Sequence, residues 1–306
     1  MPNPKPIYIY FHIPKTGGTS FNWKVGYHLH RENDRWLKHF NWVDGFGGSF
    51  VEHNIPLLQN RTKEQHEQLK IISGHSTYSH THFWLKEPRV PYYMAHVREP
   101  IPRLLSSFNY RFGLAQLNQD THMFSSSSPV SDTYARYYNR QATDYNSLYT
   151  WRLDNSAERN LQCKWLIKCF YAFDDTRAMF KQYSKFEGGD TFATHQGQFI
   201  PQTWPDWFYN IQMDDNLFDM LIEVLKVNMW YLGTTENLNK DTEDLCKHID
   251  QEFVADIEDR NKAGVSYPQY WNLQDVLGQP DYEELVKEEK YDQMLYEFAK
   301  SWKRPY

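Results

Sequence analysis

Residues 7–21 read IYIYFHIPKTGGTSF, and this stretch decides both the fold and the site. Its first half is rich in β-branched and aromatic residues and predicts a strand, whereas the Thr-Ser pair near its end predicts a helix start. The turn between them, residues 14–20, carries two adjacent glycines. A strand, a glycine-bearing turn and a helix N-terminus in this order are typical of a loop that binds phosphate.

The residue types in this turn suit an anion. Gly17 and Gly18 have no Cβ, so that consecutive N–H groups can turn toward one oxyanion. Thr19 and Ser20 add hydroxyl donors where the helix dipole favours negative charge. Lys15 adds a mobile positive charge. We therefore predict that a phosphate is bound by Lys15, Thr16, Gly17, Gly18, Thr19 and Ser20.

The order of these residues separates this loop from the usual ATP-binding loop. In GxxxxGK[ST] the lysine follows the glycines, whereas Lys15 precedes them. This order resembles the 5′-phosphosulfate loop of sulfotransferases that use 3′-phosphoadenosine 5′-phosphosulfate (PAPS), in particular the Golgi-type carbohydrate family that includes heparan sulfate 2-O-sulfotransferase. The resemblance implies PAPS as sulfuryl donor. A tight β–α turn without a ligand is the alternative interpretation.

A second strand, predicted over residues 70–75 (KIISGH), ends at His75. In open α/β sheets, ligands bind at the carboxyl ends of the strands, and a histidine can accept a hydroxyl proton near neutral pH. The Gly-His pair also resembles the family's strand-end catalytic base, which implies that role for His75. His80 and His82 remain alternatives, as does a histidine that is merely hydrogen-bonded. No cysteine or carboxylate accompanies these histidines, so we predict no metal site.

A third strand, residues 91–98, leads into a helix predicted over residues 101–112 within HVREPIPRLLSSFNYRFG. This stretch resembles the family's 3′-phosphate motif, Arg-acid-Pro-x-x-Arg-hydrophobic-hydrophobic-Ser, which implies that Arg98 and Ser106 bind the 3′-phosphate. The acid is glutamate here, where the family usually has aspartate. Arg103 is expected to face solvent or a carboxylate. Two phosphate motifs that follow strands, with a Gly-His strand between them, are more specific together than either is alone.

Three later segments are relevant to the site. A helix is predicted over residues 156–168, and the resemblance implies that its Asn160 and Gln162 face the cleft. Residues 230–236, WYLGTTE, predict a sheet strand with a family-like end. Arg260 and Lys262 lie in a glycine-ended loop of the kind that closes over the 3′-phosphate in many sulfotransferases; a basic helix C-terminus is the alternative.

Hydrophobic periodicity supplies the remaining elements. Residues 191–207 are expected to be irregular, and residues 113–150 form either an acceptor-side loop region or a solvated insertion. Helices are predicted over residues 21–30, 62–69, 174–186, 214–227, 239–257 and 282–303. The sequence thus predicts one domain over residues 1–306, an α/β P-loop NTPase-like three-layer fold with a central parallel sheet flanked by helices.

Amino-acid composition and charge limit which binding partners and which cellular compartment we expect for this protein. No run of about 18 apolar residues exists, and three cysteines are too few for a disulfide framework. We therefore expect a soluble, cytoplasmic protein without a membrane span, of bacterial or viral origin. Residues 1–120 carry a net charge of +5 and the remainder −11. This division suits an anionic nucleotide and argues against a nucleic-acid partner.

The function predicted from these observations is transfer of a sulfuryl group from PAPS to an acceptor hydroxyl on a glycan or a small molecule. His75 is the predicted general base, and Lys15 stabilises charge on the leaving phosphate oxygen. No metal is required. The alternatives are a P-loop kinase and a nucleotide- or glycan-binding module without catalytic activity.

Overall fold

The protein is described by a computed structural model, which covers residues 5–26, 58–60, 62–75, 77–107, 159–171, 175, 192–195, 198–201, 211–250, 253 and 279–303. The predicted 113–150 segment, the helix over residues 174–186 apart from residue 175, Arg260 and Lys262 lie outside the described residues. The assignment of the whole chain to one domain stays a prediction.

Four parallel strands form the central sheet, as predicted. The described strands are β1 Pro6–Phe11, β2 Ile71–Gly74, β3 Val90–Val97, β4 Phe192–His195, β5 Gln198–Pro201 and β6 Met229–Thr234. The order in the sheet is β2-β1-β3-β6, and each neighbouring pair is parallel. Strand β1 is central and is buried on both faces, which explains its nearly continuous apolar sequence PIYIYF.

Eight helices are described. They are α1 Gly18–Gly26, α2 Lys63–Gln68, α3 over residues 100–107, α4 Leu161–Phe170, α5 Asp215–Asn228, α6 Leu238–His248, α7 Gln279–Glu288 and α8 Lys290–Ser301. Short 3₁₀ helices lie at Thr81–Trp84 and Thr235–Asn237. Helix α2 begins after Thr62 in a capping box with Gln65, because each side chain accepts the other residue's backbone N–H.

Helices cover both faces of the sheet. Successive side chains of a strand point to opposite faces. Ile7, Ile9 and Phe11 accordingly join one hydrophobic cluster with residues of α4, α5 and α8. Tyr8 and Tyr10 join a second cluster with residues of α1 and α6. The predicted α/β architecture of a parallel sheet between helical layers is therefore confirmed.

Several predictions about elements are wrong. The helix expected over residues 239–257 ends at His248, and Asp250, which follows it, has a positive φ of 51°. The long helix expected over residues 282–303 is two helices, α7 and α8, which meet at Glu289. The segment expected to be irregular, residues 191–207, contains the antiparallel hairpin β4–β5. Within the described ranges, no helix combines the length and apolar character needed to cross a bilayer.

Candidate functional site

The four parallel strands end at one edge of the sheet, and the predicted site residues follow three of those ends. The turn after β1 carries Lys15, β2 leads directly to His75, and β3 leads to Arg98. Direct contacts join the three segments. His75 Nδ1 lies 2.7 Å from the carbonyl oxygen of His12, and Arg98 Nη1 lies 3.4 Å from the carbonyl oxygen of Lys15.

The turn after β1 is tightly wound. Lys15 and Gly17 both have positive φ, 66° and 86°, and this conformation is routine for glycine but unfavourable for lysine. Thr16 is buried and its hydroxyl donates to the carbonyl of Ile13 at 2.9 Å. Its hydroxyl proton is therefore used inside the turn. What the turn can offer an anion is the N–H groups at the start of α1, which have no acceptor within their own helix.

Gly18 is required for a different reason from Gly17. A Cβ on Gly18 would overlap with the imidazole of His12, in particular with its Cδ2. A Cβ on Gly17 would lie 2.7 Å from Cδ2 of Leu238, a flexible side-chain end, so there it is the positive φ that favours glycine. The second glycine of the loop thus makes room for His12.

His75 is half-buried and is held by its neighbours. Its ring stacks on that of His12, with centroids 3.8 Å apart and planes 20° apart, and Trp165 meets it edge-on at 5.7 Å. Because the carbonyl of His12 can only accept, Nδ1 of His75 carries the proton of this hydrogen bond. In the neutral ring, Nε2 is then the basic nitrogen.

The alternative histidines lie at the start of the 3₁₀ helix Thr81–Trp84, where His80 is the residue before the helix and His82 is within it. His82 Nδ1 is 3.5 Å from the hydroxyl of Tyr93, and Tyr93 pairs with Ile9 in the interior of the sheet. Burial, aided by the charge of His80, lowers the pKa of His82 to about 4, which makes it a weak base. Among the residues that the structure describes, no three His, Cys, Asp or Glu side chains are grouped so as to hold a metal ion.

The backbone of Arg98 is held by Gln162. The Arg98 N–H donates to Oε1 of Gln162 at 2.7 Å, and Nε2 of Gln162 donates to the Arg98 carbonyl at 2.9 Å. Gln162 is fully buried, and Asn160 is buried with its side chain bonded to the backbone around the α7–α8 junction. The expectation that these two residues face a cleft is therefore wrong, since both are used inside the protein.

Helix α3 carries the rest of the predicted 3′-phosphate motif. Ser106 is half-buried. Arg103, expected to face solvent or a carboxylate, is fully buried, so the first of these alternatives is wrong. Helical periodicity explains the difference, because Arg103 shares the inward face of α3 with Leu104 and Ser107.

Thr235 is a residue of the site for which sequence analysis predicted no role. Its Oγ1 lies 3.0 Å from the carbonyl oxygen of Thr16 and 3.1 Å from that of Val97. One hydroxyl proton is thus shared between the β1 loop and the end of β3. The available signal was the segment WYLGTTE, which marks a strand end but does not reveal what the hydroxyl contacts.

Comparison with known proteins finds a distant relative. Over 158 residues the sequence is 27% identical to the heparan sulfate 2-O-sulfotransferase hst-2 of Caenorhabditis elegans. The chain is similar to a sulfotransferase. The match spans 49% of this chain and 45% of the nematode protein, about half of each. No protein-family model matches the chain. The similarity supports a distant sulfotransferase-like relationship, and hence a transferase.

Proposed function

We propose that this protein is a PAPS-dependent sulfotransferase that moves a sulfuryl group to the hydroxyl group of an acceptor. The observation that carries the proposal is the convergence of three strand ends at one edge of the sheet. The β1 loop, His75 and Arg98 come from segments that are distant in sequence, yet contacts to the backbone of the loop connect them. The similarity to a sulfotransferase points to the same chemistry.

The nucleotide would be bound at both of its phosphate ends. The start of α1, with Thr19 and Ser20, offers N–H groups and hydroxyls to the 5′-phosphosulfate. Arg98, whose guanidinium carries five N–H donors and contacts the Lys15 carbonyl, is assigned to the 3′-phosphate together with Ser106. Arg260 and Lys262 are assigned to the same phosphate by sequence alone.

The chemical step follows from the tautomer of His75. PAPS supplies an electrophilic sulfuryl group. His75 accepts the proton of the acceptor hydroxyl at Nε2 as that oxygen forms a bond to sulfur and the bond from sulfur to the phosphate oxygen breaks. Lys15 and the N–H groups of the loop stabilise the negative charge that grows on the departing phosphate oxygen. The products are the sulfated acceptor and 3′-phosphoadenosine 5′-phosphate (PAP).

The acceptor proposed here is a neutral glycan, a lipid-linked sugar or a small hydroxylated metabolite. Residues 121–306 carry a net charge of −11. Such a charge would repel a highly sulfated polymer rather than attract it. The nematode relative is named for heparan sulfate, a sulfated polymer of the kind that this acidic region would repel.

Nucleotide binding is the direct test. Isothermal titration with PAP, and separately with ATP and magnesium, is compared for the wild type, Arg98→Ala and Lys226→Ala. Lys226 is half-exposed on α5, just before β6, so its loss removes one positive charge at the opposite edge of the sheet. We expect a preference for PAP that Arg98→Ala weakens about 10- to 100-fold, as befits loss of a charge-assisted contact.

The control should bind PAP like the wild type. A preference for ATP would contradict the proposal and favour a kinase. Absence of PAP binding would also contradict it and would favour a tight β–α turn that binds no ligand. Tight binding of PAP without transfer from PAPS to any hydroxylated acceptor would favour a binding module.

A further inference from the structure

Helix α4 has its N-terminus capped by a residue of another helix. Asn160 precedes α4 in a left-handed conformation, φ 49° and ψ 40°, and its side chain makes no capping hydrogen bond to α4. The cap is instead the buried carboxylate of Asp292 on α8, which accepts from the N–H of Gln162 at 3.0 Å and of Cys163 at 2.9 Å. This carboxylate satisfies two N–H groups that a helix start leaves without partners.

Asn160 in turn caps the N-terminus of α8. Its Oδ1 accepts from the N–H of Tyr291 at 3.0 Å and of Asp292 at 3.1 Å, and its Nδ2 donates to the carbonyl of Glu288 at 2.8 Å. Asp292 of α8 therefore caps α4, and Asn160, the residue before α4, caps α8. The two helix starts are fixed relative to each other by four hydrogen bonds to backbone N–H groups.

Gln162 connects these two caps to the candidate site, because its N–H binds Asp292 and its side chain binds the backbone of Arg98. Arg98 is the first residue after β3, whose last pair in the sheet is Val97 with Thr234. Its N–H and carbonyl thus lie beyond the described ladder, and the amide of Gln162 binds both of them. A side-chain amide presents one donor and one acceptor as a neighbouring peptide group does, so Gln162 substitutes for a further strand partner.

We propose that Gln162 is a positioning residue for recognition of the 3′-phosphate, acting through the backbone of Arg98, and that Asp292 holds Gln162 in place. This inference rests on the proposed function, because it requires Arg98 to bind that phosphate. An arginine at a strand end can point in many directions unless its backbone is fixed. Gln162 fixes it on both sides, and α8 fixes the first turn of α4 from which Gln162 extends.

The test compares two nucleotides that differ only in the 3′-phosphate. Dissociation constants for PAP and for adenosine 5′-monophosphate are measured on the wild type, Gln162→Met and Gln293→Met. Methionine has nearly the shape of glutamine without its amide. Gln293 lies on the exposed side of α8 and bonds to Glu297, so it is the matched control.

We expect the wild type and the control to prefer PAP, and Gln162→Met to lose about tenfold of that preference while its affinity for adenosine 5′-monophosphate is kept. Asp292→Asn, which keeps the shape of the cap, should shift the ratio in the same direction by less. If Gln162→Met does not fold, Gln162→Asn replaces it, since that amide is one methylene too short to bind both backbone groups.

The outcomes separate the two proposals. A wild type that does not distinguish the nucleotides contradicts the proposed function. A wild type that prefers PAP, with a Gln162 variant that keeps the full preference or weakens both nucleotides equally, overturns the positioning role alone.

Discussion

The ring of His75 is oriented by a backbone carbonyl and by the imidazole of His12. We expect His75→Ala to lower the turnover of PAPS about 10²- to 10⁴-fold, the usual contribution of a general base. The dissociation constant for PAP should change little, because the proposed base contacts the acceptor rather than the nucleotide. Release of PAP in the presence of a hydroxylated acceptor measures the first quantity, and titration measures the second.

The matched variant is His82→Ala. His82 lies beside Tyr93 in the interior of the sheet, and burial keeps its pKa low. This variant should turn over PAPS at close to the wild-type rate. If His82→Ala loses turnover while His75→Ala keeps it, the base is His82, in the 3₁₀ helix Thr81–Trp84, rather than His75.

Gly18 connects the turn after β1 to His75, the proposed base, through its contact with His12. In Gly18→Ala the new methyl group would overlap with His12, and the stack of His12 on His75 would be disturbed. We expect a loss of about 1–3 kcal/mol in the free energy of unfolding, as for other overpacked sites. Turnover should fall at least about tenfold, since small displacements of a catalytic group are costly.

Gly233→Ala is the comparison for this effect. Its Cβ would lie 2.7 Å from Oδ2 of Asp241 and from the hydroxyl of Tyr231, so it overpacks a buried group between β6 and α6 rather than the His12–His75 pair. Denaturant titrations and turnover are measured for both variants. Full turnover in Gly18→Ala would show that the histidine stack is not needed for catalysis.

At the level of whole elements, the reciprocal caps of α4 and α8 should be worth more than an ordinary cap. Asn160→Ala removes three side-chain hydrogen bonds and leaves alanine at φ 49°. We expect the free energy of unfolding to fall by about 2–4 kcal/mol. Thr62→Ala removes the exposed cap of α2 and should cost about 0.5–1 kcal/mol. Urea denaturation measures both; equal losses would mean that the buried caps contribute nothing extra.

Local sequence signals predicted most of the elements. The strand predicted over residues 70–75, the helix predicted over residues 62–69 and the amphipathic helix predicted over residues 214–227 are present close to their expected bounds. The break at Glu289 could not be predicted, because no glycine or proline marks it. It is stabilised by Asn160, more than 120 residues earlier in the chain, which binds the backbone on both sides of the junction.

For the molecule as a whole, parallel topology was enough to predict which segments meet. Lys15, His75 and Arg98 each follow a strand, and strands of a parallel sheet end together. The side chains that hold these residues were not predictable in the same way. Gln162 and Thr235 act on backbone atoms that are 64 or more residues away, and nothing in their own neighbourhood indicates those partners.

The stability of the whole molecule should depend on His82 at acid pH. Its folded pKa of about 4 lies below the ordinary value of 6.5, mainly because of burial. Between these values the unfolded chain binds a proton that the folded protein does not, so the free energy of unfolding falls as pH decreases from 6.5 to 4. His82→Asn should reduce that decrease by about 1–2 kcal/mol.

Urea denaturation at a series of pH values measures this contribution. His248→Asn, on the other side of the sheet against Tyr8 and Trp230, is the control and should retain the contribution of His82. An unchanged pH dependence in His82→Asn would contradict the burial argument.

The mutual caps also set an order of events during synthesis on the ribosome. Asn160 and Asp292 are 132 residues apart, and at about 5–20 residues per second the second partner emerges roughly 7–26 s after the first. Throughout that interval the start of α4 lacks its carboxylate and Arg98 lacks a fixed Gln162. The nascent chain can thus assemble β1, β2 and β3 early. Under the proposed function, it would bind the 3′-phosphate with full affinity only after α8 has docked.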